Sequence, residues 1–368
     1  MINLGVVGCG DVAFRTYFPG IKQTLDHAKV VAVFDPRIEQ AERAAKEFPG
    51  ATVAQRYEDL LAEPDLNAIF NLTPAPFHRD TTMAALERGL HVFSEKPLAA
   101  SVAEAQALIA YAKVHDRLLL CAPAVMATKR FRWLKKVLAE GRIGEPTLAV
   151  SQMANMGPAG WRGYTGDPAV FYAENVGPVL DTGVYSLHTM TGLLGPAKRV
   201  QAFGGIAIPE RKVLIERLAG KTITVGANDH MLIHLDFGNN RFGQLLSSFA
   251  VPNSKAPAFE LHCTEGSASI SMNDWYDGNG SIDFFLRDDS LLGLDGWLNG
   301  VKAPGEYDYD HLIQSGPVHF VDCLLEREAP ILTAEHACHV LEIILKATAS
   351  AKEGKALELE TTFEEDSP

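Results

Sequence analysis

The chain has 368 residues, 47% of them hydrophobic, and 33 Lys plus Arg against 46 Asp plus Glu give a formal charge of −13. That length suits two domains, and an acidic surface repels phosphate backbones and anionic lipid, so neither nucleic acid nor membrane is an expected partner. Five scattered cysteines (Cys9, Cys121, Cys263, Cys323, Cys338) with no C-x-x-C pair read as buried thiols of a reducing compartment.

Met1-Ile2-Asn3 leads straight into a strand, and no window approaches the roughly 18 apolar residues of a membrane span, so a cytoplasmic protein is expected. Short apolar runs then alternate with helical patterns. Strands are expected at Leu4–Val7, Val30–Phe34, Ala68–Leu72, His91–Ser94 and Leu118–Cys121, with helices such as Ile38–Phe48 and Phe77–Arg88 between them. This alternation predicts a parallel, doubly wound sheet. The first strand runs into Gly8-Cys9-Gly10-Asp11-Val12-Ala13, a G-x-G-x-x-A. The first glycine allows a tight turn, the second lets a pyrophosphate approach the backbone, and Ala13 lets the following helix pack close to the sheet. The second strand ends in Phe34-Asp35, where a carboxylate accepts hydrogen bonds from adenosine ribose hydroxyls and repels a 2′-phosphate. Arg37 is a guanidinium that could tolerate that phosphate, so NAD is the expected cofactor and NADP a possible one. Cys9 reads as a small hydrophobe under the loop.

Three later strand ends carry unusual residues: Asn71-Leu72-Thr73-Pro74, Ser94-Glu95-Lys96-Pro97 and Cys121-Ala122-Pro123. Ligands bind at the carboxyl edge of such a sheet, which places Lys96 beside a nicotinamide, poised to polarise a hydroxyl or carbonyl during hydride transfer. Thr73, Pro74, His78 and Glu95 are assigned to the cofactor with Lys96. Gly89 has the C′ role of a helix end, and Ser101 with Glu104 has capping-box spacing ahead of a helix.

After residue 123 the rhythm changes. A helix at Arg130–Glu140 leads to a strand at Thr147–Met153 and a Gly/Pro-rich stretch from Gly157 to Gly183. Antiparallel strands are expected at Met231–Phe237, Phe242–Phe249, Ala258–Cys263 and Ala268–Met272, the first two joined by a hairpin at Gly238-Asn239-Asn240. Helices near Val318–Arg327 and Ala334–Lys352 follow. Residues 1–123 are thus read as a dinucleotide-binding domain and 124–368 as an α+β domain with a large, mainly antiparallel open sheet, serving substrate binding and oligomerisation. His336-Ala337-Cys338-His339 lies in a helical pattern without a second ligand group, and no metal is assigned.

With these residues in view, the chain resembles the glucose–fructose oxidoreductase/inositol dehydrogenase/MocA (Gfo/Idh/MocA) family over nearly its full length. The resemblance rests on Gly8–Ala13, Thr73-Pro74 with His78, Ala85-Leu86 through Gly89, His91-Val92 and Glu95-Lys96-Pro97. It continues in Gly141–Glu145, in Gly177 through Tyr185, and in Ser350–Gly354. It implies a Rossmann first domain and an NAD(P)-dependent dehydrogenase or reductase acting on CH–OH groups of a sugar, cyclitol or sugar derivative. It further implies that Lys96 is catalytic or substrate-orienting, that Asp181 binds substrate and that Tyr185 transfers a proton. At i and i+4, Asp181 and Tyr185 would share one helix face, and a neighbouring ammonium would help the phenol ionise. Relatives of the inositol dehydrogenase type carry His where this chain has Tyr185; here His188 follows three residues later, as a substrate contact or a packed helix histidine. Trp161, Arg162 and Lys129 fall near places where relatives touch substrate. A homodimer or homotetramer is expected. Glycoside cleavage through transient oxidation by tightly bound NAD, and a cofactor-sensing protein without catalysis, are the alternatives.

Overall fold

A computed structural model describes residues 1–277, 280–287, 296–304 and 311–364. The chain forms two compact units, one of residues 1–128 with 311–341, the other of 129–310 with 342–368.

The first unit is built on six parallel strands: β1 (Ile2–Val7), β2 (Ala28–Phe34), β3 (Thr52–Val53), β4 (Ala68–Asn71), β5 (His91–Ser94) and β6 (Leu119–Cys121). Their order is β3-β2-β1-β4-β5-β6. All four residues of β4 are buried, the signature of a central strand covered on both faces. Val7 pairs with Phe34 and Asn71, Asn71 with Ser94, and Ser94 with Cys121. The loops beginning at Gly8, Asp35, Leu72, Glu95 and Ala122 therefore leave one carboxyl edge at one level. The helix Val102–Val114 starts with a reciprocal box, Glu104 N–H to Ser101 Oγ at 3.3 Å and Ser101 N–H to Glu104 Oε2 at 3.2 Å.

The expected division at residue 123 needs correction. Residues 311–341 return to the first unit, where Phe320 lies 5.4 Å from Phe70 and 5.8 Å from Phe93. Cys121 N–H donates to Leu332 O at 3.0 Å and Leu120 bridges Thr333, so the far edge of the sheet is covered by this segment. A contiguous reading has no signal for this return, because apolar residues in the late helices are equally consistent with either core.

The second unit holds β7 (Pro146–Ala154), β8 (Arg199–Gly205), β9 (Glu210–Lys212), β10 (Thr222–Thr224), β11 (His230–Gly238), β12 (Arg241–Ser248), β13 (Phe259–Cys263), β14 (Gly266–Ile270), β15 (Ile282–Leu286), β16 (Gly296–Val301) and β17 (Leu357–Glu358). Nine of these form one sheet, β16-β15-β14-β13-β7-β12-β11-β8-β17, antiparallel except for the β7–β12 pair. Asn239 and Asn240, at φ 54° and 58°, make the β11–β12 turn that the sequence predicts. Alternate residues of β7, Ala149, Ser151 and Met153, are buried. There Ser151 Oγ meets Ser186 Oγ of the helix Val184–Leu194 at 2.6 Å. The strands β9 and β10 form a separate ribbon, anchored by the buried Arg211–Asp229 pair at 2.6 Å.

Candidate active site

Gly8 has φ +89°, and a Cβ there would lie 2.5 Å from Leu72 O, so only glycine permits this turn against the β4 loop. Gly10 has nothing within 4 Å of the position a Cβ would take, leaving bare backbone open to a ligand. Between them, Cys9 N–H donates to Asp35 Oδ2 at 2.9 Å, while Arg37 N–H donates to Asp35 Oδ1 at 2.9 Å. The Arg37 guanidinium reaches the same oxygen at 3.3 Å. Burial, reinforced by the negative charge of Asp35, pushes the Cys9 thiol up to about 12, so it stays protonated and unreactive. The helical run Asp11–Lys22 is not uniform: Ala13–Tyr17 is a π turn, and Asp11 pairs with Arg15 at 3.1 Å.

Asn71, fully buried at the end of β4, ties the next loop. Its Nδ2 donates to His78 O at 3.1 Å and Thr82 Oγ1 at 3.0 Å, and its Oδ1 accepts from Thr73 Oγ1 at 2.7 Å. His78 is 1% exposed, with Nδ1 2.5 Å from Pro97 O and Nε2 2.7 Å from Thr73 O. The ring thus lies between the Thr73 loop and the Pro97 loop, one nitrogen facing a carbonyl of each. Glu95, 8% exposed, accepts Lys96 N–H at Oε2 (2.5 Å) and the Tyr17 hydroxyl at Oε1 (2.9 Å). Lys96 itself is half-buried, and the Lys96–Pro97 and Ala122–Pro123 peptides are cis.

In the second unit Asp181 lies in the π turn Val179–Gly183 and Tyr185 in the helix Val184–Leu194 that follows it. The single regular helix expected for the pair is thus two windings in series. Asp181 is half-buried and Tyr185 is 7% exposed. Tyr276 packs edge-on against Tyr185, ring centroids 6.4 Å apart. Its outer side is exposed, yet crowding of the phenol and then the charge of Asp181 push it up to about 12. Burial foremost, with Asp181 contributing, also raises Tyr172. His188 is 4% exposed; Lys129, Trp161 and Arg162 are exposed, Trp161 lying 5.7 Å from Tyr164.

Residues 2–122 match the family model described as an oxidoreductase family with an NAD-binding Rossmann fold, and residues 131–269 match the Gfo/Idh/MocA C-terminal domain. The chain belongs to the Gfo/Idh/MocA family. Among relatives, a dTDP-3,4-didehydro-2,6-dideoxy-alpha-D-glucose 3-reductase of Actinomadura kijaniata is 31% identical over 53% of this chain and 56% of its own length. The chain thus spans little more than half of that reductase. The NAD(+)-dependent scyllo-inositol 2-dehydrogenase of Bacillus subtilis is 23% identical over 98% of this chain and 96% of its own. An NAD-binding oxidoreductase of Klebsiella pneumoniae superposes with TM-score 0.81 at 18% identity, over 98% of this chain and 99% of that one.

Within this family's NAD-binding domain the residues fit the dinucleotide. Gly10 is open, Gly8 makes the turn, and Asp35 holds the loop through Cys9 N–H. The carboxyl edge starts the loops at Gly8, Asp35, Leu72 and Glu95 from one level, with Thr73 and Lys96 one residue further along two of them, whereas the buried His78 turns its ring to two loop carbonyls. Tyr17 and Tyr276 escape the sequence reading. A π turn sets the direction of the first, and the second approaches Tyr185 from a distant loop. Two cysteines expected to be buried, Cys263 and Cys323, are only partly so.

Proposed function

We propose that this chain is an NAD-dependent oxidoreductase acting on a secondary alcohol, or the corresponding ketone, of a sugar, cyclitol or sugar derivative. The observation that supports it is the single carboxyl edge, at which the strands before the glycine loop and before Glu95-Lys96 end in register. Gly8, Gly10, Asp11, Val12 and Ala13 would cradle the pyrophosphate, Asp35 would bind the ribose, and Arg37 would leave room for NADP. When bound, NAD supplies the hydride acceptor. Tyr185, with Lys96 lending positive charge, would take the hydroxyl proton, and Asp181 would accept a hydrogen bond from a substrate hydroxyl. Polyols are matched by such acceptors, and the relatives named above carry sugar and inositol substrates in their names. His188, Trp161, Arg162 and Lys129 are assigned to substrate binding on the same reading. Self-association as a homodimer or homotetramer completes the proposal.

The test is NADH formation with a panel of sugars and cyclitols. Lys96→Ala and Tyr185→Phe should each lower turnover by about 10² or more while NAD still binds, and the double variant should be little worse than the poorer single. Full turnover of Lys96→Ala on every accepted substrate would overturn the assignment of the lysine, and glycosidic cleavage without net NADH would overturn the reaction class.

A further inference from the structure

We infer that Tyr17 is a positioning residue for Lys96, acting through Glu95; this rests on the catalytic role proposed for the lysine. Glu95 follows β5 with only 8% of its surface exposed, so its carboxylate requires partners inside the protein. Each oxygen has one. Oε2 accepts the main-chain N–H of Lys96 at 2.5 Å, closing a ring of one residue that fixes where the lysine leaves the strand. Oε1 accepts the Tyr17 hydroxyl at 2.9 Å. Hydrogen bonds to an ionised acceptor are the stronger kind, and two of them on opposite oxygens stop the carboxylate from rotating.

Tyr17 reaches that oxygen for a reason visible in the winding. It closes the π turn Ala13–Tyr17, which directly follows the glycine loop. A π turn changes the angular step between residues, so the side chain points where a regular helix would not send it. The ring is 1% exposed and meets Phe93 of β5 edge-on at 6.0 Å. Ring and hydroxyl thus both address β5, one by packing and one by hydrogen bond. The peptide beyond the lysine is contacted as well, since Pro97 O lies 2.5 Å from His78 Nδ1. Lys96 is consequently framed on both sides by side chains from two helical segments, and Tyr17 links that frame to the loop that would carry the pyrophosphate.

Tyr17→Phe keeps the ring packing and deletes the hydroxyl alone. Two readouts separate positioning from packing. First, in the ligand-free protein the Lys96 amide should exchange with deuterium several-fold faster in Tyr17→Phe and faster still in Glu95→Ala, with melting temperature recorded to confirm folding. Second, kcat should fall about tenfold in Tyr17→Phe, the size of one lost hydrogen bond to a charged group, while the NAD dissociation constant stays within about twofold. Because Tyr17 acts through Glu95, the variant carrying both substitutions should be no slower than Glu95→Ala. Glu95→Gln should recover most of that loss, since an amide can accept from Lys96 N–H and donate to the Tyr17 oxygen.

Unchanged Lys96 amide exchange in a folded Tyr17→Phe protein overturns the inference. So do effects of Tyr17→Phe and Glu95→Ala on kcat that multiply. Should Tyr17→Phe fail to fold, the contrast between Glu95→Gln and Glu95→Ala in exchange and kcat decides in its place, and equal defects overturn the frame. An active Lys96→Ala protein would refute the catalytic role of the lysine instead, and the exchange measurement tells these two failures apart.

Discussion

Asp35 uses both carboxylate oxygens on its own protein, one on Cys9 N–H and one on Arg37. An acidic residue at the end of the second strand was legible in the sequence, and the ribose role proposed for it rests on that position; its part in holding the glycine loop was not legible, because a backbone N–H carries no sequence signature. The two functions predict a graded response. Asp35→Ala removes the loop anchor for either dinucleotide and the ribose acceptor for NAD alone. NAD affinity should therefore fall about tenfold or more and NADP affinity by less, in calorimetric titrations with both cofactors. An unchanged affinity ratio would remove the ribose role and leave only the anchor. Lys96 and Glu95 were legible for a stronger reason: a proline directly after an apolar run ends a buried strand and leaves the residues before it at the ligand edge. Tyr17 and Tyr276 had no such marker. Neither lies in a motif, and each gains its meaning from a partner far along the chain.

Elements whose cause is local were read closely. The capping box at Ser101 and Glu104 and the Asn239-Asn240 turn form as their residues dictate. Elements whose cause is tertiary were missed: β8, with Phe203 facing outward, β15 and the short β17, which exists because the final helix returns the chain to β8. That return depends on Glu342, in the helix Ala334–Glu353. Its carboxylate accepts from Glu360 N–H at 2.9 Å, Thr361 N–H at 2.8 Å and Thr361 Oγ1 at 2.5 Å, and pairs with Lys346 at 2.7 Å. Burial alone would raise it, but these donors outweigh burial and lower it from 4.5 to about 2. A group depressed in the folded state stabilises above its unfolded pKa and loses that contribution as pH falls through the folded one. Glu342→Gln should accordingly lower the melting temperature at neutral pH, and the gap to the unmodified protein should close between pH 4.5 and about 2. Thermal unfolding across that range measures it; a gap independent of pH would assign the effect to packing.

The large sheet of the second unit keeps Phe203, Phe242 and Trp297 exposed at 66%, 48% and 48%. Phe203 stands opposite Leu232, itself opposite Leu246, and Phe242 stands opposite Leu148, so apolar side chains form rows across neighbouring strands. Rows of this kind are better covered than wetted. The proposed self-association places them in the interface. Light scattering should give a multiple of the 40.0 kDa chain mass, and Phe203→Glu should lower it. A mass of 40.0 kDa for the unmodified protein at micromolar concentration would count against that placement. The divided first unit has a different consequence, which concerns synthesis. Residues 1–128 leave the ribosome with β6 uncovered and with the hollow beside Phe70 and Phe93 unfilled. Both wait for residues 311–341, which emerge only after the intervening stretch 129–310 has been translated. At about 5–20 residues per second this interval is on the order of 10–40 s, long enough for a bare strand edge to meet another nascent chain. The late helix Ser315–Leu324 is thus the segment that completes a domain begun at the first residues.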